Sequence, residues 1–271
     1  MNTLTSVTLL SPASVPVTQP DLQDLLAPVF EIGASSTSLI ATRHKVHLDE
    51  TSYEIPKFLL LGQRGGGRPL RVGLFAGFDH SQVETTVALT RLLLQFELIP
   101  ALARDYALFA YPIVDVRVGD AVSGVAADLT TRGIGGTVPS DVQFFRSELQ
   151  RWSFDGLISL RSIPQSEGFY ATTRSELLGK EVVLPAIQSI SGKLPVQADP
   201  IRLRPADRAA RLADYEQGKL TGPIGVRPYP FEFELFAPGN IPVADRITGL
   251  FLIVQELLRN YRRLISHAQD L

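Results

Sequence analysis

The sequence predicts a single α/β domain, a mixed, twisted β-sheet with helices on both faces. Three observations predict it. Apolar runs of strand length alternate with longer stretches of helical spacing along the chain. Apolar residues make up 45% of the 271 residues, enough for a sizeable core. The stretch "RVGLFAGFDHSQVETTVALTRLL", residues 71–93, reads as a strand, a small-residue turn at Ala76–Gly77 and a helix. Its polar cluster, Asp79, His80, Gln82 and Glu84, would lie at the carboxyl end of a sheet strand, where ligands of open α/β sheets bind.

The elements follow in order. Residues 20–33 suggest a short amphipathic helix with Asp21 as its N-cap. "SLIATRHKVHL" and "YEIPKFLLLGQ" read as paired strands, and "RGGGRPL" (64–70) as the loop into the next strand. A helix is expected from Val83 to about Glu97, and a buried strand in "YALFAYPIVDV" (106–116). Residues 117–140, rich in Gly, Thr and Ser, read as a long loop, a kind that is often functional. "DVQFFRSELQRW" is helical and leads into a strand at "FDGLISLRS" (154–162). Residues 163–180 read as loop, and "KEVVLPAIQSI" fits a helix or a strand. "PADRAARLADYEQG" (205–218) is a polar helix, "PYPFEFELFAPGN" (228–240) a strand, and residues 243–265 a long amphipathic helix. That last helix carries Ile247, Leu250, Phe251, Val254, Leu257, Leu258, Tyr261 and Leu264 on one broad face, suited to core packing or to a dimer. The domain is expected to span residues 38–271, after an N-terminal segment at 1–37 that carries the short helix.

Bulk composition excludes several function classes. Twenty-six basic against 28 acidic residues give a net charge of −2, without the basic excess of a nucleic-acid binder. The chain has no cysteine, so disulfides, thiolate metal sites and catalytic thiols are excluded. The N-terminus lacks a basic n-region and no run of about 18 apolar residues occurs, so a cytoplasmic protein without membrane contact is expected. "RGGGRP" lacks the Lys-Ser/Thr ending of a phosphate loop. His44 and His47 are three apart on a strand and do not share a face. No Ser-His-Asp arrangement is supported, since the nucleophile-elbow glycines are missing.

Five segments together resemble the zinc-dependent carboxypeptidase superfamily, in its succinylglutamate desuccinylase and aspartoacylase branch. "AGFDHSQVETTVALTRLL" resembles the turn that carries two zinc ligands, and "YPIVDV" the Pro-containing strand. "ADLTTRG" resembles the Asn-Arg loop, "WSFDGLISLRS" the strand ending in a third ligand, and "FEFELF" the strand of the general-base Glu. Their shared order covers residues 38–265. The resemblance implies a zinc-carboxypeptidase-like fold and assigns positions within it. Asp79 stands where the first His is expected, Gln82 where the Glu is, and Arg161 where the third ligand is. Asp115–Val116 replaces an Asn-Pro, and Thr130–Thr131 with Arg132 replaces the Asn-Arg. Glu234 retains the general-base position; Glu232 is read as an out-of-phase neighbour, only one of the two pointing into the site.

A catalytic zinc needs about three protein ligands and an open position for water. Asp79 can ligate, Gln82 is a poor ligand, and Arg161 has no lone pair to give. The expectation is a degenerate relative without cofactor, in which Arg161 substitutes for the metal and pairs with Asp79. Asp79 as a mere turn or N-cap residue is the plain alternative. The expected role is non-catalytic, the binding of a small carboxylate or peptide end, with Arg117 and Arg132 as carboxylate holders or as surface charges. Two alternatives stay open. One is an active metallohydrolase whose zinc sits on His80 and Glu84, one helical turn apart if the helix begins early. The other is a structural or regulatory subunit. A homo-oligomer is compatible with all three.

Overall fold

The computed structural model of the chain describes residues 22–48, 51–65, 68–79, 82–114, 140–204 and 231–269. Helix α1 (Leu22–Ser35) precedes a hairpin of β1 (Leu39–Leu48) and β2 (Thr51–Leu61). Then come β3 (Leu70–Phe75), α2 (Val83–Leu98), a 3₁₀ turn (Pro100–Ala103), β4 (Tyr106–Tyr111), α3 (Ser140–Trp152), β5 (Gly156–Ile163) and β6 (Phe169–Thr173). Helix α4 begins at Glu176–Leu178, widens through a π turn at Gly179–Val183 and continues as Leu184–Gln188. Strands β7 (Val196–Leu203) and β8 (Phe231–Pro238) and helix α5 (Val243–Gln269) complete the order.

The strands form one eight-stranded mixed sheet in the order β1-β2-β4-β3-β5-β8-β6-β7. The central run β4-β3-β5-β8 is parallel, flanked by antiparallel contacts at β2–β4 and β8–β6. From β3 the chain crosses through α2 to β4 on one side, then returns through α3 to β5 on the other. Strand order therefore reverses between β3 and β5. A crevice opens at such a point, at the carboxyl ends of the strands.

Two apolar clusters put helices on both faces, as the alternating sequence pattern predicts. On one face Leu89, Leu93 and Phe96 of α2 and Leu250, Val254 and Leu257 of α5 pack on Val72, Leu74, Ile158, Phe233 and Leu235. Helix α1 joins this layer through Leu26 and Val29, and the π turn through Val182 and Val183. On the other face Phe144, Phe145 and Leu149 of α3 pack on Phe75, Phe109, Tyr111 and Leu157. The broad face of α5 is thus core surface: Ile247, Leu250, Val254, Leu257 and Leu258 are buried and Phe251, Tyr261 and Leu264 pack beside them. Among the described residues no helix is long and apolar enough to cross a membrane.

Several expectations need correction. Residues 163–180 are not all loop, since they contain β6 and the start of α4, and β7 at 196–203 has no counterpart in the sequence reading. The ambiguous "KEVVLPAIQSI" is helical. The strand expected over 106–116 ends at Tyr111, where Pro112 can give no N–H to the ladder. The expected helix at 205–218 and long loop at 117–140 fall almost wholly outside the described residues.

Candidate functional site

The turn after β3 is fixed by hydrogen bonds rather than by its own flexibility. Gly77 has φ +64, a conformation only glycine adopts cheaply, and a Cβ there would meet the Pro112 carbonyl at 2.5 Å. Its N–H donates to Thr85 Oγ1 at 3.0 Å, while that hydroxyl donates to the Gln82 carbonyl at 2.8 Å. Thr86 Oγ1 donates to the Pro112 carbonyl at 2.7 Å, tying α2 to the end of β4. Gln82, not Asp79, is the N-cap residue of α2, and its backbone N–H donates to the Asp79 carbonyl at 2.9 Å. Asp79 is therefore a turn residue, and its role as N-cap is not realised.

The Gln82 side chain does not cap its helix. Its Oε1 accepts the Ser162 N–H at 3.0 Å, pinning the turn to the end of β5. One residue before, Arg161 lays its guanidinium over the Phe78 ring, 4.1 Å from the centroid, with Nε and Nη2 out of solvent. The end of β5 and the turn after β3 are thus joined through Gln82 with Ser162 and Arg161 with Phe78. Arg117, Arg132 and His80 lie outside the described residues.

Glu84 is elsewhere. It is 3% exposed and forms an ion pair with Arg246 in the first turn of α5, and Arg246 also reaches Ser162 Oγ at 3.4 Å. The helix begins at Val83, so residue 80 precedes it and the early start that would align His80 with Glu84 does not occur. Among the described residues no three His, Cys, Asp or Glu side chains assemble as a metal-ligand group.

Glu234 sits on β8 between Ser159 of β5 and Thr172 of β6. It is 6% exposed, accepts from Thr172 Oγ1 at 3.3 Å, and is held by Arg204 just past β7. The expectation that only one of Glu232 and Glu234 points into the site is wrong. Residues two apart on a strand share a face, and both line one cleft. Glu232 pairs with Arg174 Nε at 2.8 Å. The rest of the lining is Leu157, Ser159, Thr172, Thr173, Phe233 and Arg204. Beyond it Tyr170 stacks on Phe236 at 4.6 Å with Arg202 over its other side at 4.1 Å; burial pushes the Tyr170 phenol up, and Arg202 opposes this. Sequence reasoning missed Arg174, Arg204 and Arg246. The first two end strands that it did not see, and the spacing of Arg202 and Arg204, two apart, was the one available signal.

Comparison with known proteins gives a fold. No protein-family model matches the chain, and no curated protein does. Solved structures do match. A metallo-carboxypeptidase from Burkholderia cenocepacia superposes with a TM-score of 0.62 at 12% identity, covering 89% of this chain and 68% of that one. A candidate metallopeptidase from Shewanella amazonensis SB2B gives 0.60 at 16% identity, covering 88% and 91%. A metallo-carboxypeptidase from Pseudomonas aeruginosa, solved in complex with (2-guanidinoethylmercapto)succinic acid, gives 0.53 at 13% identity, covering 86% and 67%. The fold is that of the metallo-carboxypeptidases. At such identities the likeness carries the carboxypeptidase-like architecture and not an activity. Within that architecture the β3 turn and the end of β5 lie on the carboxyl-end side of the parallel strands, and the β8 cleft lies against the first halves of β5 and β8.

Proposed function

We propose that the chain is a carboxypeptidase-fold protein without catalytic zinc, and that its cleft binds a small carboxylate or a peptide end. The observation that supports this most is Arg161. A guanidinium is a permanent cation with five donors and no acceptor, so at a ligand position it disfavours a second cation. The neighbouring donors are engaged as well. The Gln82 side-chain Oε1 is taken by the Ser162 N–H, and Glu84 by Arg246. Zinc in this fold would supply an activated water and a Lewis acid, but these residues do not fit it, and no hydrolytic step is assigned to them. Glu234, in the general-base position, is engaged by Arg204. We assign Asp79 as the charge partner of Arg161, a reading that the stacking of Arg161 on the adjacent Phe78 supports.

Thermal-shift measurements on chelator-treated protein with acidic amino acids and short peptides test this reading. The expected result is a rise in Tm that Arg161→Gln reduces. Release of an amino acid from a peptide or acyl-amino acid, dependent on added zinc and lost in Glu84→Gln, would establish the hydrolase instead. Indifference to every small ligand, with stable retention of another protein, would favour the subunit role.

A further inference from the structure

We infer that the outer edge of β1 is a docking site for an extended acidic peptide, which adds to the sheet as a further strand antiparallel to β1. The site is separate from the proposed carboxylate site. Strand order places β1 at one end of the sheet, and β2 pairs only with its inner side. The register decides which backbone groups face outward. The Leu61 N–H donates to the Ser38 carbonyl at 2.8 Å, so this pair and every second pair after it are the hydrogen-bonded ones. The residues between them turn their N–H and C=O away from β2. Two contacts agree with this assignment. Pro56, which has no N–H, faces Arg43 in a non-bonded pair, and the outward N–H of Leu39 donates to Ser36 Oγ at 2.8 Å. Beyond Leu39, the outward groups of Ala41, Arg43 and Lys45 have no partner among the described residues.

The other edge of the sheet is built differently. Strand β7 carries Asp199 and Pro200 in its middle, and its pairing with β6 shifts register between Phe169 and Ala171. Proline and irregular register keep an edge strand from pairing. Strand β1 has neither over its ten residues. It presents a regular run of open amides, the template that strand addition uses.

Side-chain charge decides the occupant. Arg43 and Lys45 are exposed and lie two apart, on the same face of β1. Glu54, across from Lys45 in β2, pairs with Arg43 at 3.6 Å, and among the described residues no ion pair forms at Lys45. A second copy that used the open amides of Ala41, Arg43 and Lys45 together would be centred on Arg43. It would set the two Arg43 side chains directly opposite each other, and like charges so placed destabilise the pairing. A strand with acidic residues two apart sets a carboxylate opposite each cation instead. Its alternate residues lie on the other face, beside Thr42 and His44. The cations that keep copies of this chain apart therefore select an acidic strand.

The test uses the full chain at neutral pH and low salt, with two short capped peptides, one alternating glutamate and valine, the other lysine and valine. Binding is read by fluorescence anisotropy of the labelled peptides, and strand addition by NMR amide hydrogen exchange. The glutamate peptide is expected to bind about tenfold or more tightly than the lysine peptide. It is also expected to slow exchange at Ala41, Arg43 and Lys45 about tenfold or more, and not at Thr42 and His44, which already bond to β2. Lys45→Glu, an exposed change with Tm expected to hold, should weaken the glutamate peptide about threefold or more. Failure of the glutamate peptide to bind, equal binding of both peptides, or binding that leaves those three amides in fast exchange overturns the inference. An unchanged affinity in Lys45→Glu does so too. Slow exchange at all three amides in the protein alone also overturns it, since this chain or a second copy would then cover the edge.

Discussion

Arg204 reaches across β6 to hold the Glu234 carboxylate, so the residue that the resemblance places at a general-base position is engaged by a cation. The pair joins the chain just past the edge strand β7 to the inner strand β8 and closes one side of the cleft.

The pair is expected to couple energetically. Arg204→Gln and Glu234→Gln should each destabilise the protein by about 1–3 kcal/mol, because each leaves a charge partly enclosed without its partner. The double variant should cost less than the sum of the two, by about 1 kcal/mol or more in a double-mutant cycle read by urea unfolding. Strict additivity would mean that solvent screens the contact.

The deeper pair, Glu84 with Arg246, ties the first turns of α2 and α5 together beneath the end of β5. Glu84→Gln should destabilise by about 2–4 kcal/mol. Replacing both residues by methionine should restore most of that loss, since removing a buried pair together leaves no stranded charge. Urea midpoints of the three proteins check the order. A double variant as unstable as the single one would show that the pair does more than neutralise itself.

Gly77→Ala isolates the turn. The position needs a positive φ, and the new methyl meets the Pro112 carbonyl. A loss of about 2 kcal/mol or more in unfolding free energy is expected, together with a loss of any ligand-induced Tm shift. An alanine variant of native stability would mean that the turn has another conformation.

Alkaline pH should unfold the protein through Tyr106. Burial, then the nearby Tyr261, raises its phenol above the ordinary value near 10, and its hydroxyl donates to the Leu258 carbonyl at 2.6 Å. The folded state keeps this proton where the unfolded chain sheds it. Stability is therefore fully present below pH about 10 and falls as pH rises above it. Tyr111, raised by burial and by Glu148, adds to the same slope. Tm measured from neutral pH into this range should drop, and Tyr106→Phe should flatten the drop. A wild-type Tm constant through that range would contradict the burial of these phenols.

Much of the fold was legible in the sequence because it rests on patterns with a physical period. The parallel core strands are buried on both faces and read as continuous apolar runs. Helices α2, α3 and α5 show their apolar stripes. Strands β6 and β7 were not legible for the same kind of reason. "FYATT" is five residues long, and "VQADPIRL" is an exposed edge with Asp199 and Pro200 inside it, a place where proline is tolerated but a strand pattern is weak.

The candidate site was legible only in part. The contacts of Gln82 with Ser162 and of Arg161 with Phe78 lie where strand ends flank a topological reversal, a place the strand pattern could indicate. The parity of Glu232 and Glu234 was misread, although a period of two puts them on one face. The pairs that decide what each carboxylate can do, Arg204–Glu234 and Arg246–Glu84, join residues 30 and 162 positions apart. No local pattern encodes such contacts; they follow from strand order and helix packing.

The most direct test of the central claim is the metal content of the untreated protein, by inductively coupled plasma mass spectrometry, before and after dialysis against zinc. The account predicts zinc well below one ion per chain in both cases, unchanged in Glu84→Gln. One tightly retained zinc per chain, lost in that variant, would contradict it.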